Sequence, residues 1–225
     1  QLLVPDISYE EKQLLDTACI ETYARFGITH DNASLEDPDN PGKYKTMPIL
    51  EDLYNVLCNR PETRRIANIL DRLVHGSAQS FNQQTNVDLD NPFTLLDISE
   101  LSGDMLVVGF WVALSFVWDR VKEDRTVKKL LFIDELWSLI RESPLLASKV
   151  LEIFKVIRGY AGAAGFASQE LGDLFMLENG KFGRGILNAC QIKIILYLEI
   201  DEARYVQDVL NLSETELMEI SHFQR

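Results

Sequence analysis

The sequence predicts an α/β fold in which a mostly parallel β-sheet is flanked by helices and preceded by a small all-α module. Between residues 93 and 200, short apolar runs alternate with segments of helical periodicity, which is typical of βαβ units. The run at residues 130–133 is apolar throughout, as expected for a strand that is buried on both faces. We therefore expect an all-α subdomain at residues 1–80 and a sheet-containing domain at residues 81–225.

The composition excludes several classes of protein. With 46% hydrophobic and 25% charged residues, the 225-residue chain resembles an ordinary globular protein. Its 22 basic and 35 acidic residues give a net charge of −13, which argues against a broad nucleic-acid-binding face. The three cysteines are far apart in sequence, so we expect neither a disulfide framework nor a zinc site. No apolar run approaches the length that spans a bilayer.

The N-terminal module has three predicted helices. Ser8 and Glu11 have the spacing of a capping box, in which each side chain binds the other residue's backbone amide at the start of a helix. Pro48 and Pro61 open the second and third helices. The segment between the first two helices, residues 29–46, is rich in acidic residues, proline and glycine, and is predicted to be a solvated loop.

The sheet-containing domain alternates predicted strands and helices. Its strands are predicted at residues 93–98, 130–134, 162–169 and 192–197. Its helices are predicted at residues 104–122, 144–158 and 181–188, followed by two helices that close the chain.

Two adjacent carboxylates, Asp134 and Glu135, come directly after the apolar run at residues 130–133. Open α/β sheets bind ligands at the carboxyl ends of their strands, and this arrangement is the Walker B pattern of P-loop ATPases. Asp134 would hold the Mg²⁺ bound to ATP, because Mg²⁺ prefers hard oxygen ligands and keeps some of its waters. Glu135 would orient or deprotonate the attacking water. The alternative is a core strand that ends in a solvated acidic turn.

Two further side chains are candidates for the same site. Gln169 ends the next predicted strand, where an amide could hydrogen-bond both γ-phosphate and water, although a helix cap or surface residue is the alternative. Arg158 ends a predicted helix and could contact phosphate in its own subunit or in a neighbouring one. It could also simply complement the negative end of that helix. Arg184 and Arg204 are weaker candidates for the arginine's role.

One expected part of an ATP site is missing from the sequence. The signature G-x-x-x-x-G-K-[ST] supplies amides and a lysine that surround the phosphates. The Gly-Lys pairs at residues 42–43 and 180–181 are followed by Tyr and Phe and lack the upstream glycine, and the glycines between residues 159 and 165 lack the lysine. We therefore expect this chain to be the downstream portion of a longer ATPase and to be inactive alone.

Three motifs in a fixed order carry a resemblance to a known family. They are Leu131-Phe132-Ile133-Asp134-Glu135-Leu136-Trp137, then Val156-Ile157-Arg158-Gly159-Tyr160, then Ala167-Ser168-Gln169. Together they resemble the C-terminal ATPase domain of the large type IV secretion and conjugative-transfer ATPase. The resemblance covers most of the chain and is firmer from residue 81 to residue 225.

That resemblance implies a RecA-like α/β ATPase, often a hexamer, which powers assembly of a transfer apparatus or movement of its substrate. It implies ATP and Mg²⁺ as cofactors and other type IV secretion components as partners. It also implies a cytoplasmic location, peripheral to the bacterial inner membrane. The module at residues 1–80 resembles the all-α subdomain that the family inserts between its P-loop and Walker B parts.

The resemblance also implies residue roles. Asp134 matches the Walker B aspartate and metal-binding residue, Glu135 the catalytic glutamate and Gln169 the glutamine that senses the nucleotide. Arg158 matches a basic position before the sensor strand, where Gly159 replaces the lysine that the family usually has next.

Two other functions fit parts of the same sequence. A catalytically incomplete structural or assembly module of the same fold would explain the missing phosphate-binding signature. A related hexameric DNA translocase would share the Walker B and sensor residues, although the net charge of −13 weakens this hypothesis. Trp137, directly after the acid pair and Leu136, fits the secretion family better. Direct binding of nucleic acid is left open.

Overall fold

The computed structural model describes residues 3–4, 6–87, 91–141, 143–169, 172–175 and 177–222. The chain divides into two compact units, residues 1–94 and 95–225. The sequence-based boundary after residue 80 stays a prediction.

The first unit is helical, as its periodicity predicts. At the start of its first helix, the Glu11 amide donates to Ser8 Oγ at 3.1 Å and the Ser8 amide donates to Glu11 Oε2 at 2.9 Å, so the predicted capping box is formed. Its helices are α1 (Tyr9–Arg25), α2 (Leu50–Cys58) and α3 (Arg64–Val74), and its 3₁₀ turns are Asn32–Leu35, Pro61–Thr63 and Gln79–Phe81. Its core consists of Ala18, Val56, Leu57, Ile66 and Ala67.

A polar network joins α2 to α3. The Tyr54 hydroxyl bonds with Cys58 and Asp71, and these contacts raise the pKa of Tyr54 to about 12. Asp71 Oδ1 lies 2.8 Å from His75 Nδ1, and the hydrogen bonds from His75 and Tyr54 lower the pKa of Asp71. The Tyr54 and His75 rings meet edge to face with their centroids 5.1 Å apart. Side chains on both helices therefore fix their relative position.

The second unit contains the sheet. Strands β1 (Lys129–Ile133) and β2 (Gly162–Phe166) pair in parallel, in a register that runs from Lys129 opposite Gly162 to Ile133 opposite Phe166. The chain crosses from β1 to β2 through α5 (Leu136–Ile140), α6 (Pro144–Val156) and a 3₁₀ turn (Ile157–Tyr160). A parallel pair with a helical crossover is the βαβ unit that the sequence predicts. The other helices are α4 (Asp104–Glu123), α7 (Lys181–Ala189), α8 (Ile200–Leu210) and α9 (Glu214–His222), with 3₁₀ turns at Gly172–Phe175 and Leu177–Gly180.

Two predicted strands, residues 93–98 and 192–197, are not strands here. In the part of the chain that the structure describes, only β1 and β2 form a sheet. In both segments exposed and partly buried residues alternate over the last four positions, as in a strand, but a strand also needs a neighbour for its backbone groups. Within the first segment, Asp97 Oδ1 accepts from the Ser99 amide at 2.9 Å, so this aspartate caps a turn, and that bond lowers the pKa of its carboxyl group.

The core of the second unit lies on one face of the sheet. Ile133 on β1 packs there with side chains of α4 and α6, among them Leu114 and Val150. On the opposite face of β1, Leu130 and Phe132 are 74% and 58% exposed. Because alternate strand residues face opposite sides, β1 presents buried side chains on one face of the sheet and exposed side chains on the other.

Helix α7 approaches the segment before it very closely at Gly183. A Cβ atom at Gly183 would lie 2.1 Å from the Leu174 carbonyl oxygen, too close for any side chain. We expect Gly183→Ala to lower the free energy of unfolding by about 1 to 3 kcal/mol, because backbone must move to admit the methyl group. Urea denaturation followed by circular dichroism measures this change.

Gly159 supplies the control for that measurement. A Cβ atom there meets nothing within 4 Å, so we expect Gly159→Ala to change stability by less than about 0.5 kcal/mol. Equal stabilities of the two variants would contradict the close approach of α7.

Candidate active site

The carboxyl ends of β1 and β2 are joined by two backbone hydrogen bonds. The Ala167 amide donates to the Ile133 carbonyl at 3.1 Å, and the Leu136 amide donates to the Ala167 carbonyl at 3.3 Å. These bonds hold the segment after β2 beside the turn after β1. Asp134 and Glu135 occupy that turn, and Gln169 follows Ala167 by two residues. The structure therefore brings these three predicted site residues to one edge of the sheet.

Glu135 has a backbone conformation that is rare for a residue with a side chain. Its φ of 47° and ψ of 44° lie in the left-handed region. That conformation costs roughly 1–2 kcal/mol for an L-residue. The Glu135 carbonyl accepts from Ser138 Oγ at 2.8 Å and from the Ser138 amide at 3.0 Å, while its amide donates to Asp134 Oδ1 at 3.1 Å. Strained residues held by their surroundings cluster at functional sites.

The residues that follow explain why the strain is tolerated. Leu136 and Ile140 on α5 are 0% and 1% exposed, so the helix after the turn is anchored in the core. The chain therefore has to leave β1 and enter the core helix within two residues, and Glu135 makes the reversal. Its carboxylate is half-buried, whereas Asp134 is exposed. Two neighbouring acids thus have different surroundings.

Ser138 contacts the acid turn and was not predicted from the sequence. Its hydroxyl bonds the carbonyl of the strained Glu135, which fixes the peptide that carries the acid. A serine three residues after the acid, at the start of an apolar helical segment, is the signal that could have indicated it.

The structure does not bring Arg158 to the acid pair. Arg158 is exposed in the 3₁₀ turn that precedes β2, so it lies at the amino end of the sheet. The five residues of β2 separate this end from that of Gln169. At about 3.3 Å per residue this is roughly 16 Å. Arg184 lies on α7 with its guanidinium 6.0 Å from the Phe175 ring centroid, and Arg204 lies on α8.

A group of basic and aromatic side chains lies at the amino end of the sheet and was not predicted from the sequence. The Arg125 guanidinium lies 4.5 Å from the Tyr160 ring centroid, and this ring meets the Trp118 ring edge to face at 5.2 Å. The signal was present in the sequence, because five of the ten residues from 120 to 129 are Lys or Arg in a strongly acidic chain.

The acid edge can accept a hydrated cation. Among the described residues, no three or more His, Cys, Asp or Glu side chains are grouped to enclose a metal ion. An exposed carboxylate such as Asp134 suits Mg²⁺, which binds few protein ligands and keeps waters and substrate phosphates. Within the same residues, no helix combines the length and the apolarity needed to cross a membrane.

The strain at Glu135 leads to a stability prediction. Glu135→Gly should leave the free energy of unfolding unchanged or raise it by up to about 1 kcal/mol, because relief of strain offsets the entropy of glycine. Ala161, with a φ of 55°, supplies the matched control, and Ala161→Gly should behave alike. Glu135→Val should lose about 1 to 3 kcal/mol. Thermal unfolding of the three variants checks this, and a destabilised glycine variant would contradict it.

Comparison with known proteins gives a consistent result. A family described as the TraG P-loop domain matches residues 66–225. No curated protein matches the sequence. Among solved structures, VirB4 of Thermoanaerobacter pseudethanolicus is similar, with a TM-score of 0.81 and 26% sequence identity over the whole of this chain. This chain spans 61% of the length of that VirB4 chain.

The extent of these matches decides the family. The TraG P-loop match covers more than half of the chain, including both strands and the acid pair. The similarity to VirB4 extends over all of it and confirms the predicted RecA-like α/β fold. The chain therefore belongs to the TraG P-loop family of type IV secretion and conjugative-transfer ATPases.

Proposed function

We propose that this chain carries the water-activating and nucleotide-sensing part of an ATP-hydrolysing motor that powers type IV secretion or conjugative transfer. The observation that carries the proposal is the strained Glu135 beside Asp134, at the edge of the sheet shared with Gln169. Carboxylates at the carboxyl ends of parallel strands suit phosphoryl transfer to water, which depends on positioning and electrostatic stabilisation.

Asp134 is proposed to hold Mg²⁺ through water. Its carboxylate is exposed and accepts a hydrogen bond from the Glu135 amide at 3.1 Å. Mg²⁺ bound with the nucleotide neutralises charge on the phosphates. Asp134 would orient that hydrated ion from the end of β1, where the strand keeps its backbone in place.

Glu135 is proposed to act on the attacking water. The peptide that carries it is fixed by Ser138 and by the burial of Leu136, so the backbone from which the carboxylate projects is held in place. A half-buried carboxylate held in this way can accept a proton or orient the water along the line of attack. Gln169, on the neighbouring strand end, would hydrogen-bond γ-phosphate and water and so distinguish ATP from ADP.

Arg158 is proposed to act on the nucleotide of a neighbouring subunit. Its position at the amino end of the sheet, roughly 16 Å from the edge that carries Gln169, exceeds the reach of an arginine side chain. A homo-oligomer, such as a hexamer, would let it serve an adjacent copy. The phosphate-binding loop is proposed to come from polypeptide outside these 225 residues, since the G-x-x-x-x-G-K-[ST] signature does not occur within them.

The proposed setting is the cytoplasmic side of a bacterial inner membrane, where the motor would associate peripherally with other type IV secretion components. The resemblance of the three ordered motifs and the similarity to VirB4 support this setting. The transported substrate is proposed only as DNA or protein.

One observation favours a second candidate function. The missing phosphate-binding signature also fits a catalytically incomplete module that keeps the fold for assembly or partner binding. The two functions differ in one measurable respect, because only the motor needs the Glu135 carboxylate for its work.

Mg²⁺-dependent ATP turnover by the full-length protein tests the motor. We expect Glu135→Gln to lower kcat by at least about 100-fold, because removing a general base typically has this effect. ATP binding should persist, since the amide keeps the size of the carboxylate. Ala161→Gly removes a similar left-handed strain at the other end of the sheet and should keep full turnover.

One outcome would contradict the role of Glu135, and another would contradict the motor itself. Turnover that survives in Glu135→Gln would remove this residue from the chemistry. A folded full-length protein that neither binds nor hydrolyses ATP would favour the assembly module.

A further inference from the structure

The guanidinium of Arg125 is held in a fixed position at the amino end of the sheet. It lies 4.5 Å from the centroid of the Tyr160 ring, and that ring meets the Trp118 ring edge to face at 5.2 Å. Trp118 is 5% exposed and belongs to the core, while the Tyr160 carbonyl accepts from Lys129 Nζ at 3.3 Å. A guanidinium that stacks on a ring keeps the N–H groups at its edge for other partners. The core therefore orients a cation at the surface of the protein.

Arg125 has no carboxylate partner in the part of the chain that the structure describes. The two acids that precede it are engaged elsewhere. Asp124 Oδ1 accepts from the Thr126 amide at 2.7 Å, and Glu123 pairs with Arg120. Arg125 is exposed, so its charge meets solvent. An arginine that the fold has positioned without giving it an anion is suited to an anion from outside the molecule.

Few cations at this end of the sheet are available to such an anion. Lys122 is already paired with an aspartate on α4 at 2.7 Å, and Lys129 Nζ donates to two backbone carbonyls. Arg125, Lys128 and Arg158 remain, on the two turns that precede β1 and β2. A nucleic acid would need a track of cations along several phosphates. Three cations suit the compact charge of one triphosphate.

The nucleotide within reach of Arg125 would be that of another copy. The five residues of β1 separate Arg125 from Asp134 and Glu135 of its own copy. At about 3.3 Å per residue this is roughly 16 Å, which exceeds the reach of an arginine side chain. In a head-to-tail oligomer, the amino edge of one copy faces the carboxyl edge of the next. The cations of the first edge and the acids of the second attract each other.

We propose that Arg125 acts together with Arg158 on the ATP of an adjacent copy, and that Tyr160 is the positioning residue that holds Arg125 for this work. Water attacks the γ-phosphorus, its proton passes to Glu135, and the bond from the γ-phosphorus to the bridging oxygen breaks, so that ADP leaves and phosphate forms. Arg125 neutralises charge on the phosphate oxygens and keeps its own protons. Because Tyr160 has already oriented the guanidinium, no reorganisation is needed during the step.

This inference rests on the proposed function, since it requires ATP hydrolysis by a homo-oligomer. Turnover by the full-length protein tests it first. We expect Arg125→Ala to lower kcat at least about 100-fold with the KM for ATP within about twofold, because a finger arginine acts on the transition state. Arg125→Lys should lose at least about tenfold, since lysine lacks the planar fork.

Lys122→Ala is the matched control for Arg125→Ala. It removes the same charge from the same end of the sheet, but from a side chain that Asp119 already neutralises. Its kcat should stay within about twofold of the parent. Equal losses in the two alanine variants would overturn the proposal, as would a loss confined to stimulation of turnover by added DNA.

Two variants of Tyr160 test the positioning role. Tyr160→Phe keeps the ring under Arg125, so kcat should stay within about threefold of the parent. Tyr160→Leu removes the ring, and kcat should fall at least about tenfold while the KM for ATP is kept. Losses in both variants, or in neither, would overturn this role.

Mixed oligomers show whether Arg125 acts on an adjacent copy. Glu135→Gln and Arg125→Ala copies are co-expressed with different tags and purified through both tags. A complete site forms where the Arg125→Ala copy supplies Glu135 and the Glu135→Gln copy supplies Arg125. With random order around the oligomer, about a quarter of the interfaces are complete, so turnover should rise to about a quarter of that of the parent. This recovery also requires that both variants are folded.

Turnover as low as in the separate variants would overturn the proposal, as would the absence of a complex that carries both tags. These results are separable from failure of the motor. A parent that hydrolyses ATP and loses turnover in Glu135→Gln keeps the motor, even where Arg125→Ala stays active and the present inference falls. A folded parent that neither binds nor hydrolyses ATP overturns the proposed function itself.

Discussion

The candidate site depends on the two backbone hydrogen bonds that join Ala167 to the end of β1. Through them, the carbonyl of Ile133 and the amide of Leu136 hold the chain after β2 at a fixed position. Strand pairing alone would end at Phe166. The two additional bonds continue the register past the strands, so the side chains that follow each strand share one edge of the sheet. Without them, Gln169 and the acid pair would belong to two independent loops.

The burial of the helix that follows is a second constraint on the same turn. The burial of Leu136, Leu139 and Ile140 draws the chain into the core directly after the acid pair. Apolar burial of this kind contributes about 1.5 to 3 kcal/mol per large side chain, which exceeds the cost of one left-handed residue. The core therefore stabilises a backbone conformation at Glu135 that the residue itself disfavours. The position of the carboxylate is thus a consequence of packing in α5, and not of any preference in the turn.

The helices could be predicted from the sequence because their signals are local. Ser8, Pro48 and Pro61 mark helix starts within one turn, and the structure confirms a helix after each. Strands at residues 93–98 and 192–197 could not be established in this way, because a strand exists only where a neighbour completes its hydrogen bonds. The alternating exposure of residues in these segments reports how their side chains are arranged, and it does not show which strand, if any, pairs with them.

The same distinction applies to the site. The convergence of Asp134, Glu135 and Gln169 on one edge could be predicted, because parallel strands end together. The left-handed conformation of Glu135 could not, because it arises from burial farther along the chain. The position of Arg158 was implicit in its order: a residue that precedes a parallel strand lies at the amino edge, opposite residues that follow one. Chain order alone thus separates the arginine from the acid pair of its own subunit.

Because of this separation, the two ends of the sheet carry opposite charges. The carboxyl edge carries Asp134 and Glu135, while the amino edge carries Arg158 together with the Arg125 and Tyr160 pair. A contact between the carboxyl edges of two copies would bring like charges together and be repulsive. Copies arranged head to tail would place the basic edge of one against the acidic edge of the next, and repetition of that contact would give a ring where the rotation between copies closes. This difference in charge follows from one parallel βαβ crossover, because residues that precede a strand and residues that follow it lie on opposite edges of the sheet.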